Sequence, residues 1–371
     1  MKILITGADG FIAKNLSLQL SERNDVEVHG FTRINKLDEL TAMLDGVDFV
    51  FHLAGVNRPQ DPSEFASGNA DLTAALCQAI ADCGRQIPVI ATSSIQAVAN
   101  NPYGESKRKA EEHLFALQTK TGSPVYVFRL PNVFGKWCKP NYNSAVATFC
   151  YNTVMGLPLQ INDSSAPVTL VYVDDVVERF LQLMDGALSQ RNAEGFECVA
   201  PQYKTTVGEL AAQIQAFRHC RDNLVSERVG VGLTRALYST YVSYLPVEQF
   251  AYPLKRYGDA RGVFVEMLKT PDCGQFSYFT AHPGVTRGGH YHHTKTEKFL
   301  VIKGEARFQF RSMLTAESFD IVTTGDQAEV VETVPGWTHD ITNIGNDELV
   351  VMLWANEIFD REKPDTYACP L

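Results

Sequence analysis

Long apolar runs are missing from this 371-residue chain, and nothing in it approaches the ~20 apolar residues that a membrane-spanning helix needs. The opening residues 1–6 run straight into a glycine turn, too short for a secretory signal, which points to a cytoplasmic protein with no membrane partner. An excess of positive charge is missing too. Lys and Arg number 33 against 43 Asp and Glu, for a net charge of -10, so the basic face that phosphate backbones require is lacking and no nucleic-acid partner is expected. The eight cysteines, Cys77, Cys83, Cys138, Cys150, Cys198, Cys220, Cys273 and Cys369, show no C-x-x-C spacing. That excludes a cysteine-rich zinc site and a disulfide framework, and fits a reducing compartment. Internal repeats and low-complexity tracts are also absent from the sequence.

What is present suits two domains of unequal size. From residue 1 to about 240, short β-branched or apolar runs at 2–6, 26–31, 49–53, 89–92 and 125–129 alternate with amphipathic segments such as 13–23 and 105–118. Repeated strand-helix-strand units predict an α/β Rossmann-type domain, a doubly wound parallel sheet. After about 245 the texture changes. Pro246 and Pro253 punctuate a linker, and short runs at 275–280, 298–302, 306–311, 320–322 and 349–354 are broken by Gly, Pro, Asn and Asp. An all-β sandwich or barrel follows, with one domain over 1–245 and a second over 246–371.

Between the first strand and first helix lies Thr6-Gly7-Ala8-Asp9-Gly10-Phe11-Ile12-Ala13. Gly7 permits a tight turn, Gly10 lets a pyrophosphate approach the helix N-terminus, and Ala13 is small enough for helix-sheet packing. Glycine turns alone are weak signals; the placement between strand and helix makes this one a dinucleotide site. After the second strand stand Thr32 and Arg33, where NAD sites usually carry an acid for the ribose hydroxyls. A guanidinium there pairs with a 2′-phosphate, so NADPH is the expected cofactor. The plain alternative is a solvated surface arginine.

Downstream, Tyr103-Gly104-Glu105-Ser106-Lys107 sets a phenol and an ammonium four positions apart on one helical face. Lys107 is therefore expected to lower the pKa of Tyr103 from its ordinary ~10. Tyr103 would then protonate a developing alkoxide as hydride arrives, while Ser94, closing Thr92-Ser93-Ser94, holds the carbonyl. Ser93 rivals Ser94 for that task.

With Phe51-His52-Leu53-Ala54-Gly55, Arg129-Leu130-Pro131-Asn132-Val133-Phe134-Gly135 and Val171-Tyr172-Val173-Asp174-Asp175-Val176, these motifs resemble an extended short-chain dehydrogenase/reductase of the nucleotide-sugar type, over residues 1 to about 240. The resemblance implies a cofactor site of Gly7, Gly10, Phe11, Ile12, Thr32, Arg33, Leu53, Ala54 and Gly55, completed by Tyr103 and Lys107. It implies a sugar-nucleotide pocket lined by Ser94, Asn132, Lys136 and Asn143. Arg129 and Asp175 read equally well as a structural pair. Family dehydratases carry an acid pair where this chain has Ile95-Gln96, so elimination of water is not expected and a simple reductase is.

In the second domain Gly284, His290, His292, Glu297 and Gly304 form a G-x5-H-x-H-x4-E-x6-G pattern. If 290–292 is extended, period-two alternation aims both imidazoles at one face and Tyr291 at the other. Pro335-Gly336-Trp337-Thr338-His339, with Asn343 behind it, supplies a fourth ligand. Three imidazoles and a carboxylate suit zinc, among other divalent ions. The arrangement resembles the two signature motifs of a cupin barrel, although Gly325 and Pro335 are widely spaced and Gly336 sits one place early, which leaves His293 as a substitute for His339. Asp259-Ala260-Arg261-Gly262-Val263-Phe264-Val265-Glu266 and Arg287-Gly288-Gly289-His290-Tyr291 resemble cupin epimerases of 4-keto nucleotide sugars. There, a histidine at the position of His290 removes the proton beside the ketone, a task that competes here with metal binding.

Reductase followed by cupin resembles a family of bacterial capsular-polysaccharide enzymes across the whole chain. That resemblance implies epimerisation beside the ketone of UDP-2-acetamido-2,6-dideoxy-β-L-arabino-hexos-4-ulose, then reduction with NADPH to UDP-2-acetamido-2,6-dideoxy-β-L-talose, by a homodimer. Four protein ligands leave no open tetrahedral position, which favours a structural metal over a catalytic one. Two other readings stay open: a reductase carrying a non-catalytic cupin module for dimerisation or binding, and a sugar-sensing regulator with an idle cofactor fold.

Overall fold

The computed structural model describes residues 1–259, 262–265, 268, 274–357 and 362–371. It divides into two compact units, Met1–Ser144 with Val168–Lys204, and Ala145–Pro167 with Thr205–Leu371.

The first unit is built on five parallel strands, β1 (Lys2–Thr6), β2 (Glu27–Phe31), β3 (Phe49–His52), β4 (Val89–Ser94) and β5 (Val125–Leu130), in the order β2-β1-β3-β4-β5. Ile3, Leu4, Ile5, Val50 and Phe51 are wholly buried. These central strands therefore read as continuous apolar runs, as a sheet covered on both faces requires. On one face Leu76 and Ile80 of the helix Leu72–Asp82 join Leu114 and Leu117 of the helix Pro102–Thr121 against Leu4 and Val50. On the other, Phe180 of the helix Val173–Met184 packs on Phe51 and Phe128. The double winding expected from the sequence is present. Strand order reverses between β1 and β3, so the crevice outside their carboxyl ends is where a ligand of this sheet would lie.

The second unit carries two five-stranded antiparallel sheets. One runs Gln275–Ala281, Leu349–Ala355, Glu297–Lys303, Glu329–Glu332, Ala251–Pro253; the other runs Ser318–Thr324, Glu305–Ser312, Trp337–Asn343, Thr286–Tyr291, Tyr367–Ala368. Alternation decides which way side chains face: Ala306, Phe308 and Phe310 are buried along Glu305–Ser312. Phe308 meets Phe299 of the other sheet with ring centroids 5.7 Å apart.

The stretch expected as a linker is part of this unit. Phe250 is completely buried, edge-on to Phe310, Phe319 and Trp337, and Ala251–Pro253 pairs with residues 329–331. Pro253 is tolerated because that strand lies at the sheet edge. The helices Val207–Asn223 and Gly232–Val242 also pack here. Arg221 pairs with Glu332 at 2.6 Å, the Tyr238 hydroxyl donates to Glu332 at 2.9 Å, and buried Lys298 shares the same carboxylate. Among the described residues no helix is long and apolar enough to cross a membrane, and the described cysteines form no disulfide with one another.

Candidate active site and metal centre

Gly7 ends β1 at φ +69, and a Cβ on it would lie 2.6 Å from Ala54 Cα. The turn and the end of β3 thus meet at backbone contact, which only glycine allows. Gly10 caps the helix Phe11–Ser21 with no side chain bonded to it, so the first-turn N–H groups are left for an anion. Phe11 and Ile12 are half-buried in that turn, as are Leu53 and Ala54 beyond β3, and Gly55 is exposed. Past β2, the Thr32 N–H donates to Asn35 Oδ1 at 2.9 Å, while Arg33 reaches solvent. His52 is wedged between the Thr6 and Thr73 hydroxyls, at 2.7 and 2.8 Å. Burial first, and the Lys107 charge second, push it down to about 3, so it is a neutral peg under the crevice.

The helix Pro102–Thr121 starts where β4 ends. Asn101 caps it by accepting from the Gly104 N–H at 2.8 Å, and Pro102 supplies the preset first turn. Tyr103 consequently sits one short loop from Ser94, its ring centroid 5.6 Å from that of Phe65 and its hydroxyl influenced by the Ser94 side chain. One turn on, buried Lys107 donates to the Thr92 carbonyl at 3.5 Å, and a Cβ on Gly55 would lie 2.9 Å from its Nζ. Burial lowers Lys107 to about 8, opposed by Glu111.

Two expectations are corrected here. Tyr103 is raised, not lowered: burial dominates and the Ser94 bond only partly opposes it. A phenol that keeps its proton is in the state needed to protonate an alkoxide. Arg129 pairs with Glu111 at 2.7 Å and Glu194 at 2.9 Å, its guanidinium 3.8 Å above the Phe196 ring, and not with Asp175.

Glu111 is the residue that sequence reasoning missed. It is buried, accepts from Ser93 Oγ at 2.5 Å and grips Arg129 through both oxygens. Ser93 is thereby committed, and Ser94 is the hydroxyl that meets Tyr103. Position four after Lys107 on one helix face was the available signal. Around the implied sugar pocket, Asn132 and Asn143 are exposed, with Asn132 donating to the Thr169 carbonyl at 3.1 Å. Lys136 is not presented to a pocket: it is buried on Asp174 at 2.8 Å, where it anchors its loop.

In the second unit the ligand atoms of His290, His292, Glu297 and His339 all lie within 4.8 Å of one another. Glu297 is 3.1 Å from His292 Nε2 and 3.5 Å from His339 Nε2. Antiparallel pairing sets His290 opposite His339, and Tyr291 turns away to stack on Tyr367, as alternation requires. His293 also turns away, its centroid 4.8 Å from that of Tyr367. Burial, then His339 and His292, push His290 down to about 4, and burial lowers His339. Burial works against the Glu297 carboxylate, yet His292 and His339 bring it well below the ordinary range. Neutral His290 and His339 beside an ionised carboxylate are in the protonation states in which such groups ligate a cation. Asn343 is a structural peg, donating to the Ala281 and Asp347 carbonyls at 2.9 Å each. Ala260, Arg261 and Glu266 of the 259–266 motif, and Cys273, lie outside the described residues.

Residues 3–196 match the NAD dependent epimerase/dehydratase family, and residues 257–367 match the polysaccharide biosynthesis C-terminal domain. The chain is 62% identical over 369 residues to the UDP-2-acetamido-2,6-beta-L-arabino-hexul-4-ose reductase of Pseudomonas aeruginosa, covering 100% of this chain and 98% of that relative. The chain belongs to that reductase family. A solved relative, the capsular polysaccharide assembling protein CapF of Staphylococcus aureus, is 41% identical over 100% of both chains, with a TM-score of 0.69. The UDP-glucose 4-epimerase of Thermotoga maritima, at 22% identity and a TM-score of 0.51 over 59% of this chain and 82% of its own, shares the fold alone. The CapF likeness spans both units, so the family is defined by the joined architecture and not by the cofactor fold.

Proposed function

We propose that this protein epimerises and then reduces UDP-2-acetamido-2,6-dideoxy-β-L-arabino-hexos-4-ulose, giving UDP-2-acetamido-2,6-dideoxy-β-L-talose, a precursor of N-acetyl-L-fucosamine in capsule or O-antigen. Reduction belongs to residues 1–245 and epimerisation to the cupin of residues 246–371. The observation that carries the reading is Tyr103, whose phenol has Ser94 as its polar neighbour, followed one turn later by Lys107 against Gly55. The relative from Pseudomonas aeruginosa, named for reduction of such a ketone, supports it.

The Gly7–Gly10 turn and Arg33 would hold NADPH, which would supply the hydride when bound. Ser94 orients the carbonyl, and Tyr103 gives its proton to the oxygen as the carbon is reduced. Lys107 offsets negative charge left on the phenol. The C–H beside the ketone is acidic only while the carbonyl can take the electron pair as an enolate, so epimerisation precedes reduction. His290, His292, Glu297 and His339 would hold a zinc ion, whose charge would fasten their strands together; with four protein ligands available its role would be structural. His290 is thereby assigned to the metal. The protein works as a cytoplasmic homodimer.

Product analysis by NMR after incubation with the UDP-keto-sugar and NADPH in deuterated water tests this. The expected product is a single alcohol with deuterium at the inverted carbon. Protium there, with configuration retained, would refute the epimerisation; no alcohol at all would refute the reductase.

A further inference from the structure

The segment 362–371 does more than end a sheet. The Asp365 carboxylate accepts from three successive backbone N–H groups, those of His293, Thr294 and Lys295, at 2.9, 2.8 and 2.6 Å, and from the Thr294 hydroxyl at 2.9 Å. Its own carbonyl oxygen lies 2.6 Å from His292 Nδ1. A carbonyl can only accept, so Nδ1 carries the proton and the lone pair of His292 is at Nε2, the atom 3.1 Å from Glu297. The residues gathered by the carboxylate are three of the four that join His292 to Glu297. Flanking contacts hold the segment in place: Lys295 Nζ donates to Thr366 Oγ1 at 2.7 Å, and Tyr367–Ala368 pairs with residues 290–291.

We propose that Asp365 is a positioning residue for the metal centre, fixing the tautomer of His292 through its carbonyl and the 293–295 turn through its carboxylate. The inference rests on the metal reading above and adds to it that ion retention is set from a segment about 70 residues away from the ligands it orients. Outer-sphere partners of ligating histidines typically affect metal affinity by about 10- to 100-fold.

The test compares wild type, Asp365→Asn and Asp365→Ala as full chains. Zinc affinity is measured by competition with a chromophoric chelator, and thermal midpoints are recorded with and without zinc. Asp365→Ala is expected to bind zinc about 10- to 100-fold more weakly. Both variants keep the backbone carbonyl, and Asp365→Asn, which also keeps one side-chain acceptor oxygen, should fall between. The zinc-induced rise in midpoint should shrink in the same order, which a merely structural residue would not cause, since its loss lowers both midpoints equally. Equal zinc affinity in all three proteins, or equal zinc-induced rises, would overturn the role of Asp365. A wild type that takes up no zinc would overturn the metal centre itself.

Discussion

Tyr103 retains its proton because burial outweighs the influence of Ser94, and Lys107 is lowered to about 8; together they set how reduction responds to pH. The donor is active when protonated and Lys107 offsets the phenolate only while charged, so the rate of ketone reduction should stay flat through neutral pH and fall from about 8, where Lys107 loses its proton. A pH profile of kcat in saturating NADPH checks this; a fall setting in near pH 7 would contradict it. Glu111 makes a second residue-scale prediction. Replacing it with Gln removes the charge that Ser93 and Arg129 share, which should cost about 1–3 kcal/mol in urea unfolding. An unchanged midpoint would show the network to be idle. Ser94, Tyr103 and Lys107 were legible in the sequence because their spacing is local. Glu111 and Asp365 were not, because Arg129 lies 18 positions from the one and His292 lies 73 from the other. Distance along the chain also hid the commitment of Lys136 to Asp174, 38 positions on.

Among elements, the β1 turn is the most constrained. Alanine at Gly7 would need φ +69 and a Cβ 2.6 Å from Ala54 Cα, and strain of about 1–3 kcal/mol corresponds to a roughly 5- to 150-fold loss if relaxation spoils the nucleotide cradle. Titration of NADPH fluorescence with Gly7→Ala measures it, and unaltered affinity would mean the nucleotide binds elsewhere. Strands such as Glu297–Lys303 and Glu305–Ser312 were visible from their apolar runs. Thr286–Tyr291 was harder to see, since Gly288 and Gly289, at φ +100 and +71, interrupt the β-branched pattern there. Gly288 is required all the same: a Cβ would lie 3.0 Å from Asp340 Cα on the paired strand. Pro246 and Pro253 suggested a linker because proline breaks sheets, whereas the burial of Phe250 draws this stretch into one.

On the scale of the whole molecule, the second compact unit reaches back beyond Pro246 because Glu332 gathers Arg221, Tyr238 and Lys298 at one buried carboxylate. Texture along the chain records strands and helices, but not which buried charges they share. The proposed function gives each reaction its own set of residues, so the two should be separable by mutation. The most direct measurement uses Tyr103→Phe with the UDP-keto-sugar in deuterated water, following NADPH absorbance and, by NMR, deuterium at the carbon beside the ketone. NADPH oxidation is expected to drop by about 100- to 10,000-fold while deuterium exchange persists at the wild-type rate. Loss of both would contradict the account.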